Sequence, residues 1–201
     1  LLRIAAAAAL LAGAGTIVWQ SRPERRVGTL ASLQGGLALA ALASGLGREE
    51  ARGLTIWLLS WAAHLALALS GAALLSRLVP VIRPAGAPGP HLFRRHPLTA
   101  LAGLYALFSL AGVPGTPGGG LWLGVARRLV EDGRNGLLVA LALGWLAAFS
   151  AVLRELRDGF GVPSGARPET RVPWSVRWAL WVSGGGLVAW GLARLAASFS
   201  A

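Results

Sequence analysis

Residues 106–128 read ALFSLAGVPGTPGGGLWLGVARR. The stretch begins as an apolar helix with Leu107, Phe108, Leu110 and Val113. It then meets Pro114, Gly115, Pro117, Gly118, Gly119 and Gly120, and resumes as Leu121, Trp122, Leu123 and Val125 before Arg127 and Arg128. Proline removes an amide donor and glycine weakens a helix, so the spacing predicts a helix broken near 114–120. Inside a bilayer the break frees carbonyls and amides that have no water to bond. Membrane proteins keep such breaks where protein buries them or a polar cavity meets them, often beside an ion or substrate path. Pro114, Gly115, Gly118 and Trp122 are therefore the first residues to weigh for function.

Composition makes lipid the expected solvent. The chain has 201 residues, 55% of them hydrophobic and 13% charged, with a mean hydropathy of +0.60. A soluble domain carries about 25% charged residues. Cysteine is absent, which excludes disulfides, thiolate metal sites and redox thiols. Methionine is absent even at position 1, which fits a fragment, a processed product or an incompletely registered start. A net charge of +11 would suit a nucleic-acid partner. All 19 basic residues are arginines, however, and most lie between apolar runs rather than on one face. Arginine in short loops is the orientation signal of a membrane protein, so no nucleic acid is expected and the lipid bilayer is.

Six candidate spans are read at about 1–19, 27–46, 54–79, 98–125, 136–153 and 174–197. The expected fold is all-α: one polytopic transmembrane bundle over 1–201, with its fourth span discontinuous. The first span resembles a signal peptide, with Arg3 before an alanine-rich run, but the apolar run continues to Trp19 and more spans follow. Gly35 and Gly36 weaken the second span, and Trp174, Trp178 and Trp181 suggest an interfacial belt on the sixth. Gly185 and Gly186, and Ala140 with Gly144, read as close-packing positions. Loops one, three and five carry Arg22, Arg25, Arg26, Arg77, Arg83, Arg94, Arg95, Arg154, Arg157, Arg167 and Arg171; loops two and four carry only Arg48, Arg52, Arg127, Arg128 and Arg134. The odd loops are therefore expected in the cytoplasm, with a bacterial inner membrane as the setting.

At the fourth span the sequence resembles a known family. HPLTALAGLYALFSLAGVPGTPGGGLWLGV, from His96, is similar to the discontinuous helix of the antiporter-like subunits of respiratory complex I, subunit N above all, and of Mrp antiporters. The family pattern is roughly SLxGxPPxxGFxGK. Ser109, Leu110, Gly112, Pro114 and Gly118 match it; Gly115 replaces the second proline, Gly119 an aromatic, and Trp122 the lysine. ERRVGTLASLQGGLALAAL from Glu24, WLLSWAAHLALAL from Trp57 and PETRVPWSVRWALWV from Pro168 are similar to flanking family segments. The resemblance implies the last six of fourteen helices, in a membrane arm built with other subunits of a complex I-like NADH:quinone oxidoreductase. It implies no cofactor and no catalytic chemistry in this chain. Family members relay protons through intramembrane lysines and a glutamate, and a buried lysine suits that role because burial lowers its pKa. This chain has no lysine, and arginine holds its proton too tightly to replace one. A mainly structural subunit is expected; the alternative is an active proton or cation translocator using His64 and an upstream portion.

Two candidates for a proton path remain. His64 lies mid-span and titrates near neutrality, so it reads either as a relay or as a neutral imidazole bonded to a hydroxyl such as Ser60 or to a backbone carbonyl. Gln34, with Ser32, reads either as a polar-axis remnant or as interhelical hydrogen-bond glue. Trp122 reads as a plug in a vestigial channel or as packing in core or lipid. Glu131 and Asp132 beside Arg127, Arg128 and Arg134, and Glu155 and Asp158 beside Arg154 and Arg157, read as solvated loop charges. His91 and His96, without cysteine or a nearby carboxylate, make no metal site. GTPGGG lacks the Lys-Ser/Thr ending of a phosphate loop. No Ser-His-Asp arrangement is readable, because Asp132 and Asp158 both lie in loops.

Overall fold

The computed structural model describes residues 1–45, 51–82, 96–159 and 172–199. Every described element is helical: α1 (Leu2–Trp19), α2 (Pro23–Ala43), α3 (Ala51–Ile82), α4 (Pro97–Leu110), α5 (Pro117–Glu131), α6 (Asn135–Gly159) and α7 (Trp174–Phe199). The all-α bundle with one discontinuous helix stands as expected. Among the described residues, Leu2–Trp19, Gly53–Ser76 and Asn135–Leu156 are long and apolar enough to cross a membrane, and Pro97–Leu110 is a shorter apolar helix. His91 lies outside the described residues, as do the loop segments that carry Arg83, Arg94, Arg95, Arg167 and Arg171.

Two groups of three helices make the bundle. In the first, α1, α2 and α6 pack on one another; in the second, α3, α4 and α7 do. Helix α5 sits between the groups and touches α2, α3, α4, α6 and α7. Small residues set the close approaches. A methyl group at Gly36 would lie 3.0 Å from Leu10, and one at Gly13 would lie 2.6 Å from Leu33. Each glycine of the α1–α2 pair thus seats a leucine of the other helix. Gly36 is a contact, not the weak point its propensity suggests. In the second group Gly184 lies against Ala102, where a Cβ would come within 2.9 Å of the Ala102 Cα. Of the two glycines singled out in the sequence, Gly185 faces open space and Gly186 meets Leu67 of α3, where a Cβ would lie 3.5 Å away; the tightest approach is at Gly184.

The helix break falls at residues 111–116, a few positions before the predicted centre. Proline is favourable at the first helical position, because its missing amide is one that has no intrahelical partner there. Pro117 takes that place, and Gly118, Gly119 and Gly120 form the first turn of α5.

One end of the bundle is tied electrostatically, and here the structure corrects the reading of Glu155 and Arg154 as solvated charges. Arg26 Nη2 lies 3.1 Å from Glu155 Oε1, with the two side chains only 5% and 11% exposed. Arg154 reaches from α6 to the end of α1, donating to Val18 O at 2.8 Å and Ile17 O at 3.2 Å. Helix α1 has no basic residue in its own last turn, so α6 supplies the cation that its carbonyl end favours. The other cluster is mixed: Arg127 and Glu131 pair at 2.9 Å with their side chains 84% and 46% exposed, as expected, whereas Arg134 and Asp132 pair at 3.4 Å with side chains only 15% and 22% exposed.

Removing one partner of a buried ion pair strands the other. Glu155→Ala should therefore lower stability by about 3–5 kcal/mol. Glu131→Ala should change it by less than about 1 kcal/mol. Denaturant unfolding in detergent reads both.

Candidate functional site

The site is the break itself, where the last turn of α4 and the first turn of α5 lie side by side. Helix α4 ends in a left-handed glycine: Gly112 has φ +75°. Gly112 N–H bonds Ser109 O at 3.0 Å and Val113 N–H bonds Phe108 O at 2.9 Å, the paired closure that a glycine C-terminus provides. Ala111 N–H bonds Leu107 O at 2.9 Å. Leu110 O accepts from Gln34 Nε2 of α2 at 2.6 Å. All four carbonyls of the last turn thus have donors.

The opening turn of α5 is closed in the same way. Thr116 is its N-cap and accepts from Gly119 N–H at 3.2 Å. Gly120 N–H bonds Thr116 O at 3.2 Å. Gly118 N–H bonds the Ser109 hydroxyl at 3.1 Å. Pro117 has no amide to satisfy. Inside the break, Gly112 O accepts from Trp145 Nε1 at 2.8 Å, and Val113 O accepts from the Thr116 hydroxyl at 2.6 Å.

Glycine at 118 is a steric requirement. A Cβ there would overlap the Ser109 carbonyl oxygen and would also lie 2.9 Å from His64 Nε2. Gly115 has φ +86° and faces open space, so it serves the turn rather than a close approach. Pro114 is exposed beside it.

His64 is fully buried on α3, and its Nε2 lies 3.0 Å from the Ser109 hydroxyl. Its partner is therefore Ser109 of the break, not Ser60 of its own helix. One hydroxyl links three helices: it accepts from α5 and meets the imidazole of α3 while sitting on α4. Gln34 is also fully buried and holds α2 to the adjacent carbonyl, while its own backbone oxygen accepts from Trp61 Nε1 at 3.2 Å. Ser32 is exposed and bonds Gly28 O of its own helix at 3.2 Å. His64 and Gln34 thus converge on consecutive residues of α4, whereas Ser32 is elsewhere.

Trp122 fills the space beside the break. It is fully buried, its ring stacks on Trp145 at 5.9 Å and 17°, and Trp145 stacks on Phe149 at 5.8 Å. A Cβ at Gly112 would overlap the Trp122 ring. Leu10 and Leu33 approach the same spot through Gly144. Trp122 is core packing; the lipid-facing alternative does not hold. His96 is the N-cap of α4 with no side-chain cap bond. Among the described residues no three His, Cys, Asp or Glu side chains gather as a metal group would require.

The sequence reading missed Thr116, Trp145 and the hydroxyl role of Ser109. Thr followed by Pro just ahead of a helical run is an N-cap signal that marks Thr116. Trp145 carries no local signal, because its carbonyl partner is distant in sequence.

A chain of respiratory complex I from Thermus thermophilus with bound aureothin has a similar structure, with a TM-score of 0.65 and 22% sequence identity. The match covers 96% of this chain and 43% of that one, so this chain spans less than half the length of its neighbour. At this identity the likeness is one of fold. No family model matches the chain, and no curated protein matches it by sequence.

Leucine at 34 would leave the Leu110 carbonyl buried without a donor. Gln34→Leu should therefore lower stability by about 1–3 kcal/mol. Ser32→Ala should stay within about 0.5 kcal/mol. Thermal unfolding of the two variants in detergent distinguishes them.

Proposed function

We propose that this chain is a membrane-arm subunit of a complex I-like assembly. It would resemble the C-terminal part of an antiporter-like subunit, and its role would be mainly structural. The observation that carries this reading is Trp122. It stands where the resembling family has a lysine, is fully buried, and stacks on Trp145 against Gly112. The likeness to the complex I chain supports the wider assignment. The protein groups that meet the backbone at the break support the structural role, with Gln34 Oε1 and Trp122 Nε1 the buried side-chain atoms there that have no hydrogen-bond partner among the described residues. In this reading α4 and α5 together make one crossing and α1, α2, α3, α6 and α7 make five more.

A second reading, active translocation, draws on one observation: His64 is buried at the break and bonded to Ser109. A single titratable group makes no wire by itself, so an upstream portion would have to supply the other carriers. The two readings separate in the purified assembly. In the structural reading His64→Leu lowers stability by about 1–3 kcal/mol, since Ser109 loses its partner, yet leaves protons moved per electron pair unchanged. A fall in that ratio at equal quinone-reductase turnover would favour translocation. Purification in mild detergent is the wider check: the chain should emerge with other membrane subunits, and emergence as a lone monomer would remove the assignment.

The orientation proposed from arginine placement puts the end carrying Arg26, Arg154 and Glu155 in the cytoplasm. The chain has no cysteine. A single Ser21→Cys at the exposed turn between α1 and α2 should therefore react with an impermeant maleimide only in inside-out vesicles. Labelling of intact cells would reverse the topology.

A further inference from the structure

A recess of ≈ 540 Å³ runs between α4 and α7 on the flank of the bundle. Leu98, Leu101, Tyr105, Phe108 and Trp181 line it, with Gly185 on its floor, and the lining is almost wholly apolar. Two adjacent glycines create it. Gly184 presses on Ala102 and draws the helices together, while Gly185 presents no side chain and leaves open space.

Arg177 sits at the head of this recess, one helical turn before Trp181. Its guanidinium carbon lies 5.2 Å from the Trp174 ring centre and 5.5 Å from that of Trp181. Trp174, Trp178 and Trp181 meet edge to face with centroids 5.7, 5.8 and 5.9 Å apart. The arginine is half-buried, and among the described residues neither a carboxylate nor a carbonyl bonds it; its buried Nε has no partner. Three other arginines that are not fully exposed differ: Arg26 has Glu155, Arg134 has Asp132, and Arg154 has the α1 carbonyls. Ring faces attract a cation but carry no net charge, so they hold Arg177 without neutralising it.

Helices α4 and α7 run in the same direction, and the aromatic cluster lies at the starting end of α7. An apolar slot headed by a cation on a tryptophan belt is complementary to a ligand with an anionic head and an apolar tail. We propose that this recess binds an anionic phospholipid, with an acyl chain along α4 and α7 and the phosphate on Arg177. A helix from a partner protein would fill the slot but leave the guanidinium without its anion. The proposal needs the chain to lie in a bilayer and does not depend on the complex I-like assignment.

The test uses the chain in the assembly with which it purifies. After delipidation it is offered equal amounts of phosphatidylglycerol and phosphatidylcholine, and retained lipid is counted by native mass spectrometry. Wild type should retain phosphatidylglycerol in preference, and Arg177→Gln should weaken that retention about fivefold, the weight of one interfacial arginine facing anionic lipid. Gly185→Leu, whose side chain enters open space, should lose the same lipid with the fold intact. Inorganic phosphate should not displace it. Equal retention of the two lipids, or unchanged retention in both variants, overturns the proposal. A photoreactive residue at Gly185 that crosslinks to protein instead of lipid overturns it too. Should Arg177→Gln fail to assemble, Gly185→Leu decides alone.

Discussion

Everything in this bundle depends on closing the backbone between Leu110 and Pro117. A break in an apolar helix frees carbonyls on one side and amides on the other, and each one buried without a partner costs about 1–3 kcal/mol. The chain answers from within α4 and α5 and from two other helices. Gly112 and Val113 fold back on α4, Thr116 caps α5, and the Ser109 hydroxyl takes the Gly118 amide. Gln34 of α2 and Trp145 of α6 take two further carbonyls, Leu110 O and Gly112 O. Helices from both groups must therefore arrive together, and α5 can occupy the centre because its polar start meets neighbours instead of lipid.

The charged end of the bundle follows the same rule at higher stakes. An arginine drawn out of water is tolerable when its hydrogens have acceptors: buried Arg26 has Glu155, and partly buried Arg154 has the α1 carbonyls. Both contacts link α6 to the α1–α2 turn, so they tie the three helices of the first group together at this end. Among the described residues Arg177, half-buried, is held differently. Aromatic faces hold it in place of an acid, which leaves its charge available to whatever meets that flank.

Much of this was legible in the sequence. The apolar runs, the Pro/Gly cluster and the arginine-bearing gaps specified helices and a break, because hydrophobic length and helix-breaking residues act locally. His64 and Gln34 stood out because polar groups within apolar runs are rare, and both reach the break. Their partners were not legible. Ser109 and Leu110 lie 45 and 76 positions away, and only the assembled bundle brings them within bonding distance. Glu155 failed for the same reason. Flanked by Asp158 and two arginines it looked like a solvated helix end, and only the arrival of Arg26 from α2 buries it. Gly185 and Gly184 show the limit of spacing arguments: adjacent glycines point to different faces, and only one meets a helix.

The geometry of the break and the identity of residue 122 are separable, and that separation explains the site. Gly118 is required because its backbone passes against the Ser109 carbonyl, whatever follows it. The Ser109 hydroxyl gives one lone pair to the Gly118 amide and keeps its single hydrogen for His64 Nε2 when the imidazole accepts, so three helices meet through two hydrogen bonds. None of this involves residue 122. Trp122 answers a different demand, which is volume. Gly112, Gly144 and the Trp145 ring leave a space that an indole fills by stacking, with its own Nε1 buried and without a hydrogen-bond partner among the described residues. A chain can therefore keep the hydrogen-bonded break whatever fills position 122, because the break is held by residues that precede it and by helices on either side.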